Sequence, residues 1–296
     1  MGKEIRSVGV VGCGLMGSGI AQVAAQAGLT VTVREVDQGF LDRGLGKIRK
    51  FLDGGVAKGK MTAAEAGAIL SRIHGVTALE DLKGSDLIVE AVTENLDLKR
   101  EVFSTLDRAC PPHTILSSNT SSLSITEMAA MTQRPDRFLG LHFFNPVPLM
   151  KLVEVVRTVR SSPETVEAGL EFARKLGKTP ILAKDSPGFV VNLLLVPYLL
   201  EAIRALERGT ASVEDIDTGM KLGCGYPMGP FTLLDFVGLD TTYSIANILF
   251  DEFKQPQYAA PTLLKRMVLA GYHGRKSGKG FYDYSAEPPK PTEGLV

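Results

Sequence analysis

A histidine and a glutamate in this 296-residue chain, His142 and Glu154, have the chemistry to pass a proton together. Each lies in a short, largely apolar stretch, Phe138–His142 and Leu152–Val156, which reads as a strand. An imidazole titrates at about pH 6.5 when unperturbed, so it can take a hydroxyl proton and return it near neutrality. A carboxylate facing it fixes the ring's tautomer and favours its charged form. Spacing alone leaves a second reading open, because a lone histidine at a strand end is often a satisfied structural residue.

The second constellation is Gly12-Cys13-Gly14-Leu15-Met16-Gly17, a G-x-G-x-x-G turn. It follows the apolar run Arg6–Val11 and opens the Ala- and Gln-rich stretch Met16–Ala27. A strand before and a helix after are the context this motif needs to hold a dinucleotide. Gly12 permits the tight turn, Gly14 lets backbone approach a pyrophosphate, and Gly17 lets helix and strand close on each other. The leading N–H groups at Leu15 and Met16 then face the phosphates. Glu35 ends the next strand, where an acid accepts both hydroxyls of an adenosine ribose and repels a 2′-phosphate. This predicts NAD and not NADP. Arg34 is its neighbour, but alternate strand residues point to opposite faces, so the two side chains should diverge.

These residues need a frame, and the first half of the chain supplies one by alternation. Strand-like runs fall at Arg6–Val11, Thr30–Glu35, Leu87–Ala91, Ile115–Ser118, Phe138–His142, Leu152–Val156 and Thr179–Ala183. Between them lie helix-like segments: one through Lys58, one capped by Thr62 with Glu65, Leu96–Cys110, one capped by Ser124, and one entered at Pro163. Such alternation predicts an α/β fold, a Rossmann-type, mostly parallel sheet covered on both faces. After Asp185 the pattern turns helical: Phe189–Arg208 with Pro197 inside, a helix capped by Ser212, then Thr241–Phe253 and Thr262–Ala270. Strand character returns only at Phe281–Tyr284, and the tail from Ser285 reads as loose. Residues 1–185 are therefore expected to bind the dinucleotide and residues 186–296 to form a smaller all-helical domain.

Composition bounds the rest. The 33 basic and 33 acidic residues cancel, which gives no overall attraction to nucleic acid or an anionic membrane. The run Val8–Val11 is too short for a signal-peptide core, and Phe189–Leu200 is too short to span a bilayer. Cys13, Cys110 and Cys224 are far apart, as reduced cytoplasmic thiols are. The four histidines are scattered, so no metal site is expected.

Four further stretches, in this order, carry a resemblance: Ser118-Asn119-Thr120-Ser121-Ser122-Leu123, Gly140-Leu141-His142-Phe143-Phe144-Asn145-Pro146, Asp185-Ser186-Pro187-Gly188-Phe189-Val190-Val191-Asn192, and Gly225-Tyr226-Pro227-Met228-Gly229-Pro230. From about Ile5 to Tyr284 the chain resembles the (S)-3-hydroxyacyl-CoA dehydrogenases, especially the stand-alone bacterial 3-hydroxybutyryl-CoA enzymes. The resemblance implies that His142 is the catalytic base and Glu154 its partner, with Ser121 and Asn192 hydrogen-bonding the substrate near the reacting oxygen. It places Glu94, Lys99, Ser121 and Asn145 at the cofactor, with Lys276 reaching it from the second domain. Read alone, Glu94 and Lys99 are solvated charges at a helix start. Two positions depart from the family pattern: Glu35 where an aspartate is frequent, and Leu193 where an arginine is common.

The resemblance also implies a short acyl-CoA as substrate, with Lys60 near the CoA phosphates, and a homodimer formed through the second domain. Leu193–Val196, Leu199 and Leu233–Phe236 exceed the apolar needs of a small helical layer and point the same way. Two rivals share most of the motifs: a sugar-acid, gulonate-type dehydrogenase on the same fold, and a non-catalytic crystallin-like protein that kept the pocket.

Overall fold

A computed structural model describes residues 4–295, and two compact units divide the chain, one ending at Phe189 and the other beginning at Val190.

The first unit is an eight-stranded sheet. In chain order the strands are β1 (Ser7–Val11), β2 (Thr30–Arg34), β3 (Ile73–Val76), β4 (Leu87–Glu90), β5 (Ile115–Ser118), β6 (Phe138–Phe143), β7 (Leu152–Arg157) and β8 (Thr179–Lys184). They lie in the order β3-β2-β1-β4-β5-β6-β7-β8. Strands β1 to β6 are mutually parallel. β7 runs antiparallel to β6, and β8 is parallel to β7. The sheet is thus mostly parallel, as expected.

Helices α1 (Leu15–Gln26), α2 (Gln38–Ala57), α3 (Ala63–Leu70), α4 (Leu96–Ala109), α5 (Ile125–Ala130) and α6 (Pro163–Lys175) cover it. Strand alternation sends Leu87 and Val89 to one face and Ile88 to the other. The first face packs with Ile20, Leu41, Ile48 and Phe172, and the second with Val102, Phe103, Leu106 and Met128. Two buried layers on opposite faces are what a near-continuous apolar strand requires.

β3 escaped the sequence reading. It is a four-residue edge strand, paired only with β2, and its His74 and Gly75 are exposed. An edge strand needs no apolar run, so it leaves little trace. Chain order reverses between β1 and β4, and the carboxyl ends of the parallel strands at such a switch form the edge where α/β proteins place ligands.

The second unit contains α7 (Val191–Glu207), α8 (Val213–Cys224), α9 (Pro230–Val237), α10 (Leu239–Phe253) and α11 (Thr262–Leu269). Leu199, Leu200, Ile203, Phe231, Leu234, Leu249, Leu264 and Phe281 form its core. It is helical but for one small antiparallel pair, β9 (Tyr282–Asp283) with β10 (Lys290–Pro291). The tail is not loose. Thr292 is buried, its N–H donates to the Phe281 carbonyl at 2.9 Å, and its hydroxyl donates to the Gly280 carbonyl at 2.8 Å.

Candidate active site

The glycine turn sits at the carboxyl end of β1, and each glycine has its own steric reason. Gly12 has φ +94°, and its N–H donates to the Arg34 carbonyl at 2.8 Å. A Cβ on Gly17 would stand 1.8 Å from the Gly12 carbonyl oxygen, so only glycine lets α1 close on the turn. A Cβ on Gly14 would meet nothing within 4 Å. Gly14 is the N-cap of α1, and among the described residues no side chain caps that helix. Open space above backbone N–H groups at a helix start fits a pyrophosphate.

Glu35 closes the other side of the turn. Its carboxylate accepts the Cys13 N–H at 2.7 Å and the Val36 N–H at 3.0 Å. Arg34 points elsewhere, donating from Nε to the Thr77 carbonyl at 3.0 Å, so the two side chains diverge. Burial, with the Glu35 charge beside it, pushes the Cys13 thiol up to about 12, which removes it as a nucleophile.

His142 and Glu154 are directly opposed across the antiparallel β6–β7 pair. His142 Nδ1 lies 2.6 Å from Glu154 Oε2, and both side chains are buried. The rings of Phe144 and Phe189 lie 4.5 Å and 5.5 Å from the imidazole. A carboxylate this close to Nδ1 holds the proton on that nitrogen and orients the ring. That leaves Nε2 as the ring atom able to exchange a proton with a substrate.

Ser121 lies in the loop after β5, and a polar network fixes that loop. Glu94 accepts the Ser121 N–H at 3.0 Å and the Thr120 hydroxyl at 2.8 and 2.9 Å. Lys99 is buried, 1% exposed, with Nζ 2.7 Å from Glu90 Oε1 and 3.5 Å from Glu94 Oε2. It is therefore not a solvated charge. Asn119 accepts the Phe143 N–H at 2.9 Å, tying the same loop to β6 beside His142.

The loop that carries Asn145 is held from below. Lys178 donates to the carbonyls of Val147 and Met150, and its own burial depresses its basicity. The sequence reading missed Glu90 and Lys178. A glutamate closing the apolar run Leu87–Glu90 was the available sign of the first, since a buried acid at a sheet's carboxyl edge needs partners.

Lys60 is exposed just past α2, its N–H bonded to the Gly55 carbonyl at 2.9 Å. In the second unit Asn192 stands in the first turn of α7. Lys276 is exposed and paired with Asp240 at 2.6 Å. Its loop is anchored through Asp235, which accepts the N–H groups of Phe281 and Tyr282 and the Tyr284 hydroxyl. Most of the apolar excess expected on this unit serves its own core: Val196, Leu199 and Leu234 are buried, while Leu194 and Phe236 remain exposed.

Comparison with known proteins points in one direction. Residues 7–186 match the family described as 3-hydroxyacyl-CoA dehydrogenase, NAD binding domain, and residues 188–284 match its C-terminal domain. A probable 3-hydroxybutyryl-CoA dehydrogenase of Bacillus subtilis is 48% identical over 281 residues, covering 95% of this chain and 98% of that protein. The crystal structure of Mycobacterium tuberculosis FadB2 superposes with a TM-score of 0.94 at 49% identity, over 96% of this chain and all of that one. The (S)-3-hydroxybutyryl-CoA dehydrogenase PaaH1 of Ralstonia eutropha gives a TM-score of 0.92 at 47% identity, with the same coverage.

Proposed function

The chain belongs to the 3-hydroxyacyl-CoA dehydrogenase family, and from that membership we propose that it oxidises a short (S)-3-hydroxyacyl-CoA to the 3-ketoacyl-CoA. The reaction is reversible, and 3-hydroxybutyryl-CoA is the foremost substrate. The observation that carries this is the buried His142–Glu154 pair on the same sheet as the NAD-type glycine turn.

Bound NAD supplies the acceptor for the hydride that leaves C3. His142 Nε2 takes the hydroxyl proton. Glu154, 2.6 Å from Nδ1, stabilises the charge the ring then carries and keeps it in register. In the reverse direction the charged ring returns the proton to the ketone oxygen. Ser121 and Asn192 hydrogen-bond the substrate near that oxygen, which fixes its orientation without moving a proton.

Gly12, Gly14, Leu15, Met16 and Gly17 hold the pyrophosphate by backbone, and Glu35 accepts the ribose hydroxyls. Glu94, Lys99 and Asn145 shape the cofactor's other end, and Lys276 supplies a cation towards it. Lys60 meets CoA phosphate as a point charge.

The test is NADH formation from (S)-3-hydroxybutyryl-CoA, longer acyl chains and L-gulonate. The four-carbon thioester should give the highest kcat/KM. Turnover of L-gulonate without the thioester would favour the sugar-acid dehydrogenase and overturn the proposal.

The same reading makes the protein a cytoplasmic homodimer joined through its second unit. Leu194, Leu222, Phe236 and Leu269 are exposed on that unit, and a partner covering them would remove their apolar surface from water. Among the described residues no helix is long and apolar enough to cross a membrane. Light scattering at micromolar concentration should return twice the chain mass, and a monomer would refute the assembly.

A further inference from the structure

Glu90 is a carboxylate with no exposed surface, at the end of a strand whose other residues are all apolar. Burying a charge is costly unless every lone pair is used, and here both oxygens are. Oε1 accepts the Val92 N–H at 2.7 Å and the Lys99 ammonium at 2.7 Å. Oε2 accepts the Ser118 hydroxyl at 2.6 Å, and Ser118 Oγ in turn accepts the Thr120 N–H at 3.2 Å. One side chain thus joins three segments at the carboxyl edge: the turn after β4, helix α4, and the loop that carries Ser121. A pair needed only to fill the core would not have to reach all three.

We propose that Glu90 is a positioning residue for catalysis, and that its charge sets where Ser121 stands by holding Lys99 away from Glu94. The proposal rests on the substrate role given above to Ser121. Lys99 sits between two carboxylates, close to Glu90 and farther from Glu94, at 2.7 and 3.5 Å. With Lys99 so engaged, Glu94 has both oxygens available to Thr120 Oγ1 and one to the Ser121 N–H. Neutralising Glu90 leaves a buried ammonium whose remaining ion-pair partner among the described residues is Glu94. The ammonium's Coulomb attraction then draws the exposed Glu94 carboxylate inward. Glu94 releases Thr120 and Ser121, and the loop loses its anchor.

A double-mutant cycle on kcat/KM with (S)-3-hydroxybutyryl-CoA tests this, with Glu90→Gln, Ser121→Ala and the pair combined in the full-length enzyme. Displacing a positioning group by about an ångström costs up to roughly a hundredfold. Glu90→Gln should therefore lower kcat/KM by about tenfold to a hundredfold in the wild-type background and by less than about twofold on Ser121→Ala. Equal factors in both backgrounds would show that Glu90 acts on stability or on some other group, and would overturn the proposal. If Ser121→Ala alone leaves kcat/KM unchanged, the role of Ser121 fails, and the inference fails with it for that separate reason. Glu90→Asp keeps the carboxylate but draws it back from Lys99 by one methylene, which weakens the same restraint. It enters the same cycle if Glu90→Gln does not fold, with the same non-additivity expected and the same additivity overturning.

Discussion

Replacing Gly14 and Gly17 with alanine, one at a time, asks the same turn for two different things. At Gly17 the added methyl would lie 1.8 Å from the Gly12 carbonyl oxygen, where ordinary contact begins near 3.4 Å. Gly12 cannot yield, because its φ is +94°, its N–H is bound to Arg34, and its own Cβ position is 2.8 Å from the Ala91 carbonyl oxygen. Helix α1 must therefore shift by more than an ångström. Overpacking of this kind costs about 1–3 kcal/mol or somewhat more. At about 3 kcal/mol, a unit of this size loses roughly 6–12 °C in Tm. At Gly14 the methyl meets no protein atom within 4 Å, so stability should stay within about 0.5 kcal/mol. The methyl instead fills the space the pyrophosphate must enter, and the NAD Kd should rise by about tenfold or more, ~1.4 kcal/mol. Thermal melts by circular dichroism give the first quantity. Calorimetric titration gives the second, since the chain has no tryptophan to report binding. An unchanged Kd in Gly14→Ala would refute phosphate binding at this turn, and equal melting losses in both variants would refute the steric assignment.

Two further outcomes follow from single carboxylates. Burial raises Asp235 to about 6 against the three hydrogen bonds that favour its charge. The proton is bound more tightly in the folded state, so this contribution to stability is complete below about pH 4 and lost as pH rises through about 6, some 3 kcal/mol in all. Unfolding of wild type and Asp235→Asn, compared from about pH 4 to about pH 8, should show wild type losing that amount relative to the variant. A flat or rising difference contradicts it. Glu35→Ala should narrow the preference for NAD over NADP by about tenfold or more, because the carboxylate that repels a 2′-phosphate is gone. Unchanged selectivity in steady-state kcat/KM would move cofactor choice to another residue.

Much of the frame was legible because buried parallel strands must be apolar. Leu87–Glu90 and Ile115–Ser118 stand out as β-branched or aliphatic runs between helices. The capping box at Thr62 and Glu65 was equally plain, and both of its reciprocal bonds form. What escaped depends on distant partners. Helix α9 follows a glycine- and proline-rich stretch, and its first N–H groups at Phe231 and Thr232 are satisfied by Asp217 from α8, which no local pattern reveals. The tail pairs with β9 as the antiparallel strand β10. Lys99 looked solvated because helix periodicity cannot announce a buried acid on a neighbouring strand. In the candidate site, types and spacing indicated His142 and Glu154 as a possible pair, and their direct opposition came from the β6–β7 register.

Proton transfer through His142 is most directly tested by His142→Gln, which keeps a hydrogen-bonding side chain and removes the base. NADH formation from (S)-3-hydroxybutyryl-CoA should fall by about 10²–10⁴-fold in kcat, with NAD binding and melting little changed. Near-normal turnover in a folded, NAD-binding variant would contradict it, leaving His142 a structural strand-end residue and sending the proton by another route.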